Sequence, residues 1–235
     1  MTFTQDFPET SSLLQYYLFL DRNMNKDRRH RMLSLLGAVC HECQMCVLGE
    51  HAQEVRGHKF DPHCWSSMKV SKIMVIGQGP GLNECLEGVP FVGDSGKNFN
   101  EELARHGLTR DNFYISNTVK CYAPQNRAPT ESEVSACKLF LQMEMAILRP
   151  VLIVTLGQVA FDRMCPNHDY SSSLGTISRD NGSGHVPVFA VYHPSPRNLE
   201  VPERKARFKR QMAVLCALVK KIEAGALKDS PESFS

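Results

Sequence analysis

Four short runs of consecutive apolar residues set the rhythm of this chain: Lys72–Gly77, Phe113–Asn117, Val151–Gly157 and Val188–Tyr192. Apolar residues at neighbouring rather than alternate positions mark strands that are covered on both faces. Between the runs the spacing becomes helical. Residues 95–106 carry Phe99, Leu103 and Ala104. Residues 130–148 open on Thr130 with Glu133 three positions on, a capping box. Residues 203–224 repeat Phe208, Met212, Leu215 and Val219 at helical spacing. This alternation predicts a three-layer α/β/α sandwich on a central four-stranded, mainly parallel sheet.

Upstream the pattern is less regular. Ser11 or Ser12 would cap a helix running through Leu13, Leu14, Tyr17, Leu18 and Leu20. The charged stretch Asn25–Arg31 reads as a solvated helix face. Residues 47–71 hold the breakers Gly49, Gly57 and Pro62 and read as an irregular linker. The expected division is an N-terminal helical extension over 1–36, one domain over 37–226 and a flexible tail over 227–235.

Length and composition narrow the picture. A chain of 235 residues with 42% hydrophobic content has room for one large α/β domain. Its formal net charge of +2 does not itself point to nucleic acid, so any basic surface must be local. No apolar run approaches the ~20 residues of a membrane span. Asp6 and Glu9, with no basic segment followed by an apolar run, argue against a signal peptide, so a cytoplasmic setting is expected.

Nine cysteines then favour metal ligation over a disulfide framework. Cys43 and Cys46 form one pair, and Cys121 and Cys137 a second. Two thiolate pairs suit an iron–sulfur cluster or a tetrahedral zinc ion. Cys40 extends the first pair to Cys-x-x-Cys-x-x-Cys and leaves its two ligands open; Cys64, beside His63, also competes. Cys85, Cys165 and Cys216 read as small buried apolar residues.

Three predicted strands end in chemically loaded segments: Gly77-Gln78-Gly79-Pro80-Gly81, Asn117 and His193-Pro194-Ser195-Pro196. Ligands of open α/β sheets bind at the carboxyl ends of strands, so one shared site is expected there. The glycines allow close backbone approach, or simply a tight turn. Phe91, in the glycine-flanked Gly88–Gly93, is a candidate to stack on a base rather than fill the core. Asn117 offers a donor and an acceptor together, or serves as a strand-end turn residue. Two prolines fix the loop that aims His193. Ser195 and Arg197 are candidates for phosphate contact. Arg204, Lys205, Arg207, Lys209 and Arg210 form a basic cluster beyond them, part of it solvated surface.

Taken in order, these pieces resemble the iron–sulfur uracil-DNA glycosylases, family 4 of their superfamily, from about Cys43 to the C-terminal helix. They are Cys43-x-x-Cys46, Gly77-x-Gly79-Pro80-Gly81-x-x-Glu84, Gly88–Gly96, Tyr114–Cys121, Pro124–Pro129, Cys137 and His193-Pro194-Ser195. The resemblance implies a structural [4Fe–4S] cluster on Cys43, Cys46, Cys121 and Cys137, with zinc as the lesser alternative. It implies a monofunctional DNA glycosylase that flips a pyrimidine, uracil above all, out of DNA and hydrolyses its N-glycosidic bond. Phe91 would stack on the base, Asn117 would read its edge, and Gln78 and Gly79 would complete the pocket. His193 would hydrogen-bond O2 as charge grows there, with Glu84 giving electrostatic help. Pro80, Gly81, Asn126, Ser195, Arg197 and Leu199 would meet DNA, Arg197 or Leu199 as a wedge. DNA is the expected partner and a monomer the expected state.

The sequence also departs from the family. Gln78 stands where family 4 usually has glutamate, and Gly79 where the cluster-free enzymes have aspartate. That leaves room for a modified pyrimidine, such as hydroxymethylated or glucosylated cytosine in phage DNA, and so for a defence role. It also leaves room for an inactive DNA-binding module. The extension and the loop at 165–186 have no counterpart in the resemblance. Pro196-Arg197-Asn198 lacks the inserted histidine of members that bond covalently to DNA, which argues against covalent trapping.

Overall fold

The computed structural model describes residues 24–57, 60–179 and 186–226. The helix expected near Leu13–Leu20, part of the 165–186 loop and the tail from 227 lie outside the described residues.

All four apolar runs become strands: β1 (Ile73–Gly77), β2 (Tyr114–Asn117), β3 (Leu152–Leu156) and β5 (Val188–Val191). A further strand, β4 (Ile177–Ser178), pairs antiparallel with β5. The sheet is therefore five-stranded, not four-stranded, in the order β2-β1-β3-β5-β4. A two-residue edge strand is too short to leave a periodicity. The other pairings are parallel, as continuous apolar strands require.

The helices are α1 (Lys26–His41), α2 (Val47–Val55), α3 (Leu82–Glu87), α4 (Asp94–Arg105), α5 (Glu131–Leu148), α6 (Gln158–Met164), α7 (Tyr170–Ser173), α8 (Pro196–Leu199) and α9 (Pro202–Glu223). They lie on both faces of the sheet, and side-chain alternation along each strand decides which face each residue serves. Met74, Ile76, Tyr114, Ile153, Val188 and Ala190 join one core with α1, α2, α5 and α6. Ile73, Val75, Ile115, Leu152, Val154, Phe189 and Val191 join the other with α4 and α9. The result is the three-layer α/β/α sandwich expected.

Two segments differ from expectation. The first part of the supposed linker 47–71 is helix α2, capped at Cys46. Gly49 lies inside that helix because a Cβ there would stand 2.7 Å from the Cys43 carbonyl oxygen, so this glycine permits a close approach instead of breaking the helix. Helix α1 begins at Asn25, whose side chain accepts from the Arg28 N–H at 2.9 Å. It runs unbroken across position 36 and buries Leu33, Leu36 and Cys40 against α5. Most of the charged stretch is exposed, but the Arg29 guanidinium donates to the Leu148 carbonyl and ties α1 to the end of α5.

Candidate active site at the carboxyl ends of the strands

A cavity of about 550 Å³ opens where β1, β2 and the segment after β5 end. Its walls include Gln78, Gly79, Pro80, Gly81 and Glu84 after β1, Phe91 from the next loop, Asn117 at the end of β2, Asn126, and His193 and Ser195 after β5. One site thus collects most of the residues singled out above. Arg197 and Leu199 are not in its walls. Arg197 is exposed on α8, whereas Leu199 packs against the α4/α9 core.

Gly77 makes the centre of the site sterically feasible. It pairs with Asn117 across β1 and β2. A Cβ on Gly77 would come within 2.5 Å of the Phe91 ring and 2.6 Å of Asn117 Oδ1, so only glycine lets both groups close over the strand end. Asn117 is 1% exposed, and its Oδ1 has no hydrogen-bond partner. A buried amide oxygen without a partner is costly, and a ligand in the cavity would repay that cost.

Phe91 is held in the left-handed region at φ +57. Contacts on both sides fix its loop. The Arg110 guanidinium donates to the carbonyls of Pro90 at 2.5 Å and Phe91 at 3.2 Å. Gly96 lies against the Phe91 carbonyl, which a Cβ would meet at 1.9 Å. Glu84 secures the other side, its carboxylate accepting from the N–H groups of Gly81 at 3.0 Å, Val92 at 2.9 Å and Gly93 at 2.8 Å. Glu84 therefore clamps two loops of the cavity together.

His193 leaves β5 into the same space. Asn198 Nδ2 donates to its carbonyl at 3.0 Å, and Asn98 Nδ2 donates to the Pro194 carbonyl at 2.9 Å. Gly157, at φ +93, gives the ring clearance: a Cβ there would stand 3.1 Å from His193 Cδ2. Burial holds the imidazole below its ordinary range, which keeps the ring neutral at pH 7 and able to donate from one nitrogen.

A family model of the uracil DNA glycosylase superfamily matches residues 66–215, which include every wall of this cavity. The chain belongs to the uracil DNA glycosylase superfamily. It is similar to the type-4 uracil-DNA glycosylase of Archaeoglobus fulgidus, with 39% identity over 133 residues, 53% of this chain and 66% of that protein. It is 35% identical over 185 residues to the type-4 enzyme of Saccharolobus solfataricus, covering 74% of this chain and 80% of that one. With the type-4 enzyme of Sulfurisphaera tokodaii it shares 37% identity over 138 residues, 53% of this chain and 60% of that protein.

In this superfamily member the cysteines gather on the α1/α5 side. Cys46 caps α2, Cys121 follows β2, and Cys137 lies in α5. Burial raises the Cys121 thiol, and the neighbouring thiols of Cys137, Cys46 and Cys43 raise it further. Burial likewise pushes Cys137 up to about 12, with Cys43 and Cys46 adding to the rise. These four thiols therefore lie within electrostatic reach of one another, and the donor set is the soft one that an iron–sulfur group takes. Among the described residues, no three His, Cys, Asp or Glu side chains are arranged to hold a metal ion. Cys40 is a fifth thiol in the neighbourhood, buried in α1. Cys64 interacts most strongly with Cys85 instead.

One set of residues went unnoticed in the sequence. Lys120 and Glu144 form an ion pair at 2.5 Å, both side chains 0% exposed. The Tyr114 hydroxyl donates to Glu144 at 2.6 Å, and Ser116 Oγ accepts from Lys120 at 2.5 Å and donates to Glu144 at 2.8 Å. The ammonium also donates to the Asn117 carbonyl at 2.9 Å and lies 5.0 Å from the Trp65 ring centroid. Burial raises the Glu144 carboxyl, and Lys120 and the two hydroxyls oppose that rise. The available signal was one glutamate inside the apolar run Leu139–Leu148.

Proposed function

We propose that this chain is a monofunctional uracil-DNA glycosylase, hydrolysing the bond between uracil and its deoxyribose to leave an abasic site. The observation that carries this reading is the buried, unpartnered Asn117 amide in a cavity that also holds Phe91 and a neutral His193. The names of the three relatives support it.

The substrate base is out of reach inside a duplex, so its nucleotide must rotate into the cavity. Phe91 stacks on the flipped ring, and Asn117 offers its amide oxygen and N–H₂ to the N3–H and O4 edge of uracil. Gln78 and Gly79 close the pocket floor. Negative charge grows on the pyrimidine as the C1′–N1 bond breaks. The His193 N–H donates to O2 and stabilises that charge, the kind of aimed donor whose loss costs about 10²–10³ in rate. Water adds its oxygen to C1′ and releases its proton, which neutralises the departing base. The Glu84 carboxylate, fixed by backbone donors, supplies negative charge beside the sugar cation. Ser195, Asn126, Pro80 and Gly81 face the DNA backbone at the rim, and Arg197 on α8 meets a phosphate.

Cys43, Cys46, Cys121 and Cys137 would hold a [4Fe–4S] cluster, whose contribution is a covalent tie between the N-terminal segment and the chain after β2. DNA is the partner, and the protein acts as a monomer.

Oligonucleotides carrying uracil, thymine, cytosine or hydroxymethylcytosine, treated with protein and then alkali, test the reading. Strand cleavage at uracil alone is expected. Absence of any abasic product from uracil DNA would overturn it. Iron and acid-labile sulfide in equal amounts, four of each per chain for the [4Fe–4S] group, are expected in protein purified without oxygen.

A further inference from the structure

Asn117 can read a base only if its side chain leaves the backbone in one direction, and its Oδ1 has no hydrogen bond to hold it there. What the structure does fix is the peptide unit that follows. The Asn117 carbonyl accepts from Lys120 Nζ at 2.9 Å, while the Thr118 N–H donates to the Gly77 carbonyl at 2.8 Å. The Thr118 hydroxyl reinforces that second bond at 2.9 Å. One peptide plane is thus gripped at both ends, from β1 on one side and from a buried ammonium on the other.

The ammonium is itself immobile. Its three donors go to Glu144 Oε2, Ser116 Oγ and the Asn117 carbonyl, which is the full capacity of a lysine. Glu144 is seated near the C-terminal end of α5 and is also held by Tyr114. A solvated turn needs no such arrangement, and burying two charges gives no net stability over apolar residues of similar volume.

We infer that Lys120, anchored by Glu144, is a positioning residue that sets the direction of the Asn117 amide. The inference rests on the reading of Asn117 given above. Lys120 touches neither base nor sugar; it acts through the Asn117 carbonyl. Displacement of a recognition group by 1 Å costs about 10² in rate, and that is the loss expected when the grip is released.

The test is a double-mutant cycle on single-turnover excision of uracil from a single-stranded oligonucleotide. Lys120→Met with Glu144→Gln removes both charges together and leaves an amide oxygen to accept from Tyr114. Relative to wild type, this variant should lose about 10² in rate with unchanged affinity for uracil-free DNA. In an Asn117→Ala background the same pair of changes should cost nothing further, because the group it positions is gone. Glu144→Asp keeps both charges and shifts the anchor by one methylene, so it carries the same cycle with less disturbance to folding; about a 10-fold loss is expected, again only when Asn117 is present. Equal losses in both backgrounds, or no loss from either variant, would overturn the positioning role alone. A wild-type rate for Asn117→Ala would overturn the reading of Asn117 and the positioning role with it.

Discussion

The two faces of the sheet are built on different principles. On the α4/α9 face, Val75, Phe99, Phe113, Leu156, Leu215 and Val219 form a core sealed by apolar contact. On the α1/α5 face the sheet presents Tyr114 and Ser116 to a buried Lys120–Glu144 pair, and the cysteines crowd beside it. The first face is held by the hydrophobic effect, which rewards area and is indifferent to direction. The second adds to an apolar core of its own a set of named partners at fixed angles, which fail as a unit when one is lost. Asn117, at the end of β2, is tied to this second face through its carbonyl, which accepts from the Lys120 ammonium.

The sharpest way to break this contrast is to delete one charge. Lys120→Met leaves Glu144 buried and unpaired, and should cost about 3–5 kcal/mol of unfolding free energy. Adding Glu144→Gln should return most of that loss, as measured by chemical denaturation. If the single and double variants are equally unstable, the second face is held like the first.

The next largest effect lies on the apolar face. Leu215→Ala should cost about 2–5 kcal/mol through lost contact and a residual cavity. Here no second deletion compensates: adding Val219→Ala should deepen the loss. Recovery on the double change would remove the distinction between the faces.

A smaller test uses pH. The Arg127 guanidinium donates to Glu133 at 2.6 and 2.8 Å, and the Thr130 N–H donates to it at 2.7 Å. The Arg127 bonds foremost hold the Glu133 carboxyl down at about 2. A depressed carboxyl adds stability that is complete above its ordinary value of 4.5 and is lost as pH falls through about 2. Glu133→Gln should cost about 1 kcal/mol at pH 7. The gap from wild type should close between pH 4.5 and about 2 when thermal unfolding is followed across that window. A gap that persists unchanged at pH 2 would show that the charge at the start of α5 contributes nothing.

The same contrast governs what the sequence reveals. The strands of the sandwich were legible because apolar runs such as Leu152–Leu156 record burial on both faces residue by residue. Thr130 and Glu133 announced α5 because capping is local chemistry three positions apart. The residues of the cavity were legible because glycine, proline, asparagine and histidine at strand ends are rare in ordinary core. What stayed hidden depends on contact across distance. Gly49 looked like a breaker because the Cys43 carbonyl it accommodates cannot be seen in a local window. Lys120 gave no sign of its role because its partner, Glu144, sits on another element. Leu199 looked free to enter DNA, yet the α4/α9 core claims it.

The pairing of α1 with α5 has a consequence for how the chain is made. Helix α1 buries Leu33 and Leu36 against a helix that ends at Leu148. At ~5–20 residues per second, Cys43 and Cys46 leave the ribosome roughly 5–20 s before Cys137 does. For that interval α1 has no surface to fold onto, and two thiols travel ahead of their counterparts. Helix α1 is therefore made well before the helix it packs against, and the face it turns to α5 stays uncovered by that helix until α5 has emerged.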